Sequence, residues 1–179
     1  MTTGNKVTLT IERLPRDKQD ELRIHSAQEI QFLLQDMCKK KTRAALYYDG
    51  GERFIMTRVL FVNEEGVWLD IGPHEEDNAQ ILRDRAFTLV SLHQHVKVQF
   101  DPPSIVSALF NDNAAFYTPL PESLLRIQRR EFFRLSIPIG APIICAIPIP
   151  SGKPNEPAVI RKINILDISC GGVALLCDE

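Results

Sequence analysis

Residues 44–62 read Ala-Ala-Leu-Tyr-Tyr-Asp-Gly-Gly-Glu-Arg-Phe-Ile-Met-Thr-Arg-Val-Leu-Phe-Val. Two runs rich in aromatic and β-branched residues, 44–48 and 53–62, flank Asp49-Gly50-Gly51, and this pattern predicts an antiparallel hairpin. Upstream, Ser26 followed by Glu29 forms a capping-box pattern. Ala27, Ile30, Leu33, Leu34, Met37 and Cys38 then recur at helical spacing up to Lys39-Lys40-Lys41, a cationic run suited to a helix C-terminus. Downstream, Glu64-Glu65-Gly66 turns the chain into a strand at 67–71, and further strands are expected at 87–92, 95–100 and 105–110. One early helix followed by successive strands predicts a mainly β protein whose N-terminal part is a small barrel carrying a helix. Trp68 is read as a core or interface residue, with core favoured because apolar neighbours alternate around it.

Tyr117-Thr-Pro119-Leu-Pro121 punctuates the chain, and proline favours extended backbone without a donor there. It is the expected junction between a first domain, 1–120, and a second, 121–179. The second should hold strands at 134–147, 158–168 and 172–176, with the proline-rich loop 148–157 as a hairpin connection.

The chain has 179 residues and a net charge of −2, divided as −3 in 1–120 and +1 in 121–179, so neither part is basic enough for bulk nucleic-acid binding. The four cysteines, Cys38, Cys145, Cys170 and Cys177, form no C-x-x-C pair, which favours free thiols over a disulfide frame or a zinc site. The polar N-terminus shows no secretory signal, and the long uncharged run 135–152 is cut by four prolines, which argues against a membrane span. A soluble cytoplasmic protein is expected. No nucleophile elbow, Walker or dinucleotide pattern occurs, and His25 and His74 are isolated. His93 and His95 would share one face of a strand, but two ligands without a third do not make a metal site. No catalytic residue, metal or cofactor is expected.

The charge distribution has one strong local feature. Arg126, Arg129, Arg130 and Arg134 crowd a short segment, and Asp167-Ile-Ser169-Cys-Gly171-Gly172 follows. Spacing of i, i+4, i+8 for Arg126, Arg130 and Arg134 would also suit the solvated face of a helix over 121–135. A guanidinium matches phosphate oxygens and the O6/N7 edge of guanine, and can lie flat on a base. A carboxylate such as Asp167 accepts from the N1 and N2 donors of guanine, a hydroxyl such as Ser169 bonds phosphate or base, and a glycine pair permits close backbone approach.

The ordered pair R-R-x-x-x-R (Arg129, Arg130, Arg134) and D-x-S-x-x-G (Asp167, Ser169, Gly172) resembles the PilZ domain, a bacterial receptor module for cyclic di-GMP. The order of elements before it is similar to the flagellar brake proteins of the YcgR type, whose N-terminal domain is a split barrel. The resemblance implies two small barrels, the second incomplete at Glu179. It also implies that these six residues bind cyclic di-GMP, that Arg129 favours an intercalated pair of ligands, and that binding changes the interdomain arrangement. It further implies a rotor or stator partner in the flagellar motor and association with the flagellar basal body. Two alternatives remain open at this stage. One is a flavin-binding split barrel; the other is a single-stranded nucleic-acid barrel using Phe132 and Phe133 among the arginines, with at least one of those rings in the core.

Overall fold

The computed structural model describes residues 9–128, 132–150 and 158–176. The chain divides into two compact units, 1–128 and 129–179. In chain order the elements of the first unit are α1 (Arg16–Leu22), β1 (Arg23–Ile24), α2 (Ala27–Lys39), β2 (Arg43–Tyr48), β3 (Arg53–Val62), β4 (Gly66–Asp70), α3 (Glu75–Ile81), β5 (Thr88–His93), β6 (Val96–Phe100), β7 (Val106–Phe110), β8 (Asn113–Pro119) and β9 (Leu124–Ile127). The second unit holds β10 (Leu135–Ser136), β11 (Ile144–Ile149), β12 (Val159–Ser169) and β13 (Gly172–Leu176).

The fold is mainly β, as the hairpin reading requires. The first unit is a nine-stranded sheet in the order β1-β9-β6-β5-β2-β3-β4-β8-β7, and the second a four-stranded sheet. Neither sheet closes on itself by hydrogen bonds among the described residues, so the two small barrels, expected as split and incomplete, take the form of open sheets. The cause in the first unit is that the end strands, β1 and β7, pair only with β9 and β8.

Helix α2 begins as its sequence dictates. Ser26 Oγ accepts from the Glu29 N–H at 3.4 Å, satisfying one of the orphan donors of the first turn. Ile30, Leu34 and Met37 are fully buried along one stripe. They pack in the same core as Leu46, Tyr48, Ile55, Val59 and Leu89 of the sheet. Full burial of side chains of this size contributes about 1.5–3 kcal/mol each, before chain entropy is set against it.

Strand β3 pairs antiparallel with β2 through Arg53–Tyr48 to Arg58–Arg43, then changes partner and pairs with β4 from Val59–Leu69 on, with a bulge between Val59 and Phe61. Beyond the bulge the outer face of the sheet is aromatic. Trp68 lies 5.4 Å from Phe61 and 4.8 Å from Tyr117, ring centroid to centroid. Trp68 is therefore half-buried on this outer face, while Val67 and Leu69 on either side of it take the core positions, which corrects the core reading.

Several elements carry no periodic signal in the sequence. Residues 9–12 are tied to the sheet: Tyr47 Oη donates to the Leu9 carbonyl at 2.8 Å, Glu12 N–H donates to Gln99 Oε1 at 2.7 Å, and Lys97 Nζ pairs with Glu12 at 2.9 Å. Helix α3 is anchored by Asn78, whose side chain both accepts from Gly72 N–H and donates to Gly72 C=O. The proline-rich stretch 117–121 is not a break: β8 runs through Pro119, and β9 pairs with β6 at Lys97–Ile127 and Gln99–Leu125. Residues 121–128 thus belong with the first unit, and the structural division falls after Gln128 instead of after residue 120. Residues 124–127 are strand, so no helix spans 121–135. The strand expected over 134–147 is split into β10 and β11, because Pro138 and Pro142 lack donors; Ala141 N–H instead closes a turn on the Pro138 carbonyl.

Two expectations can be tested on the first unit. A Cβ at Gly66 would stand 2.4 Å from the Thr118 carbonyl oxygen and 2.6 Å from the Tyr117 ring. Gly66→Ala should therefore lower stability by about 1–3 kcal/mol, read as a reduced midpoint in urea unfolding of the full chain. Asp36 accepts from Lys40, His93 and Gln94, which hold its carboxyl at about 2, below the ordinary 3.8. Its stabilising effect is complete above pH 3.8 and is lost as pH falls toward 2. Acid unfolding should steepen in that window, and Asp36→Asn should flatten it; an unchanged profile would contradict the assignment.

Candidate functional site

The second unit is built on β12. Its start pairs with β11, Ile149 opposite Val159, so the two strands form a hairpin as expected, although the connecting residues 151–157 lie outside the described residues. At its other end β12 pairs on one side with β10, Leu135 opposite Ile168 and Ser136 opposite Asp167. On the other side it pairs with β13, with a bulge between Ile165 and Asp167. The extra residue, Leu166, uses its carbonyl to accept from Ile137 N–H at 2.9 Å. A bulge re-aims the side chains that follow it, and here the next residue is Asp167.

Cys170 and Gly171 form the two-residue connection between β12 and β13, with Ser169 opposite Gly172. Gly172 has φ +149, a backbone conformation that side chains disfavour, and Ser169 Oγ donates to its carbonyl at 3.2 Å. At Gly171 a Cβ would come within 3.2 Å of the Phe132 ring. Phe132 thus lies against the turn, a contact that sequence reading did not attach to it. Phe132 is 48% exposed and Phe133 85%, so the expectation that one of the pair is core is overturned. The physical reason is that both residues precede β10 and lie outside any strand, so the alternation of strand faces on which the expectation rested does not apply to them.

Arg134, just before β10, places its guanidinium 3.8 Å from Asp167 Oδ2. Both side chains are partly exposed, at 45% and 26%. A solvated pair at this separation contributes at most about 1 kcal/mol. The guanidinium keeps donors, and the carboxylate keeps acceptor positions, for a third party. Of the six residues singled out by sequence, Arg134, Asp167, Ser169 and Gly172 fall on neighbouring strands and one turn. Arg129 and Arg130 lie outside the described residues.

The histidine pair is separated by the chain's own turn. His93 closes β5, while Gln94 and His95 are the two turn residues, at φ +49 and +66. His93 is buried, with Nε2 2.7 Å from Asp36 Oδ2 and Nδ1 2.9 Å from Thr42 Oγ1. The strand-face reading is corrected: a hairpin turn replaces the alternation it assumed, and His93 is a tether between α2 and the sheet. Among the described residues no group of three or more potential metal ligands occurs. No helix of the described residues is long and apolar enough to cross a membrane.

Comparison with known proteins bears on both units. The family model described as flagellar regulator YcgR, PilZN domain, matches residues 22–126. The flagellar brake protein YcgR of Nitrosospira multiformis is 34% identical over 162 residues, covering 89% of this chain and 62% of that protein. The flagellar brake protein YcgR of Chromobacterium violaceum is 34% identical over 154 residues, covering 85% of this chain and 60% of that protein. The chain therefore spans about three fifths of these relatives' length. Among solved structures, YcgR from Escherichia coli in complex with c-di-GMP superimposes with a TM-score of 0.64 at 24% identity, over 89% of this chain and 66% of that one. At that identity the likeness concerns the fold. Residues 22–126 run from the end of α1 to β9 and contain nearly all of the nine-stranded sheet, and on that match the chain belongs to the flagellar regulator YcgR family through its PilZN domain.

Proposed function

We propose that this protein is a cyclic di-GMP receptor that regulates flagellar motility, with Arg129, Arg130, Arg134, Asp167, Ser169 and Gly172 as its ligand site. The observation that carries the reading is the approach of Arg134 to Asp167, 3.8 Å apart beside the Ser169–Gly172 turn. A guanine dinucleotide presents phosphates and an O6/N7 edge to a guanidinium, and N1 and N2 donors to a carboxylate. The pair offers one group for each kind of edge. Membership of the YcgR family and the c-di-GMP complex of a protein with the same fold support the choice of ligand. The role is recognition and not catalysis.

The coupling follows from sequence position. Arg129 and Arg130 come directly after Gln128, where the first unit ends. A ligand that engages them together with Asp167 and Ser169 restricts the tether between the units. It shifts the population only by its preference for one arrangement over another. The output is a changed surface presented to a component of the flagellar motor, in the cytoplasm.

Micromolar binding corresponds to about 8 kcal/mol. Loss of one charged hydrogen-bonding side chain, at about 1.5–3 kcal/mol, weakens it roughly ten- to a hundredfold. Arg130→Ala, Arg134→Ala and Asp167→Ala should each do so in calorimetric titrations of the full chain with cyclic di-GMP, while the circular dichroism stays that of the parent. Unchanged affinity in the folded variants would sink the site. The nucleic-acid alternative draws on the exposed Phe132 and Phe133. It predicts salt-steep binding of single-stranded oligonucleotides in preference to the dinucleotide.

A further inference from the structure

The first unit contains a cleft that the site above does not use. It is a cavity of about 480 Å³ between α2, the β5–β6 hairpin and β9. That volume falls in the range of small-molecule sites. Ile24, Leu33 and Val96 supply accessible apolar lining, and Phe32, 73% exposed, stands at its edge.

Three charged side chains line the cleft: Glu29, Asp36 and Arg126. Asp36 is engaged, because its Oδ2 accepts from Lys40 at 2.9 Å, His93 at 2.7 Å and Gln94 at 2.7 Å. His93 and Gln94 are committed by the same contacts. Arg126 differs: it projects from β9 and is exposed, and no hydrogen bond or ion pair engages its guanidinium among the described residues. An uncommitted guanidinium beside an apolar surface recognises a carboxylate attached to an apolar body. Glu29, an anion in the same lining, disfavours a ligand with several negative charges.

We propose that this cleft binds a small amphipathic monocarboxylate, its apolar body against Ile24, Leu33 and Val96 and its carboxylate on Arg126. Every residue invoked lies in the first unit, so the site stands independently of the cyclic di-GMP reading. Gln94, a turn residue with left-handed backbone, lines the cleft, and its side chain donates to Asp36.

The test is ligand-observed NMR and calorimetry on the full chain with phenylbutyrate and octanoate as carboxylate probes. Phenylbutanamide and phenylbutylamine serve as neutral and cationic counterparts. The carboxylates should bind at least about tenfold more tightly than the amide, the effect of one charged hydrogen-bonding contact. Arg126→Gln should erase that preference, Arg126→Lys should keep part of it, and Phe32→Ala should weaken all probes that bind. Both side chains are exposed, so the variants should fold like the parent by circular dichroism. Three results would overturn the proposal: no binding of either carboxylate, tightest binding of the amine, or a carboxylate preference that survives Arg126→Gln.

Discussion

The change of partner along β3 is the constraint on which the first unit depends. The strand pairs with β2 up to Arg58 and with β4 from Val59 on, with a bulge between Val59 and Phe61 inside the second ladder. Ile30, Leu34 and Met37 of α2 share one core with Ile55 and Val59 before the bulge and Val62 after it. On the outer face, Phe61, Trp68 and Tyr117 meet as cross-strand neighbours and stabilise the pairing of β4 with β8.

Helix α2 is further held by charge. Asp36 gathers donors from its own helix, through Lys40, and from the β5–β6 hairpin, through His93 and Gln94. His93, buried, is satisfied at both ring nitrogens, and among the described residues no buried side-chain polar atom lacks a partner. One carboxylate thereby fixes the helix to the sheet and sets one wall of the cleft that Arg126 faces. The second unit works the other way. Its Arg134–Asp167 pair is solvated and long, so it adds little to stability.

Legibility differed by element and for identifiable reasons. The β2–β3 hairpin and α2 were readable because hydrophobic period, turn chemistry and cap agreed at each. Strand β8 was hidden because Pro119 and Pro121 mimic a linker, yet Pro119 sits at the last position of the strand, where a missing donor costs little. Helix α3 was hidden because its burial rests on Ile81 and its anchoring on Asn78, neither of which makes a periodic stripe. In the second unit the two motifs were legible as residue types, whereas the bulge before Asp167 and the Phe132 ring against Gly171 were not.

From its sequence alone this protein was determined to be mainly β, to carry a capped helix ahead of a hairpin, and to hold an arginine cluster followed by an acid-hydroxyl-glycine turn. These are local properties, written in periodicity and in the conformational needs of a few residues. Tertiary structure decided which strands pair, that β9 belongs to the first unit, that Arg134 and Asp167 approach one another beside β10 and β12, and that Arg126 lines a cleft with Leu33 and Val96. Pairing partners and the surroundings of a charge depend on residues distant in the chain, and no local pattern encodes them.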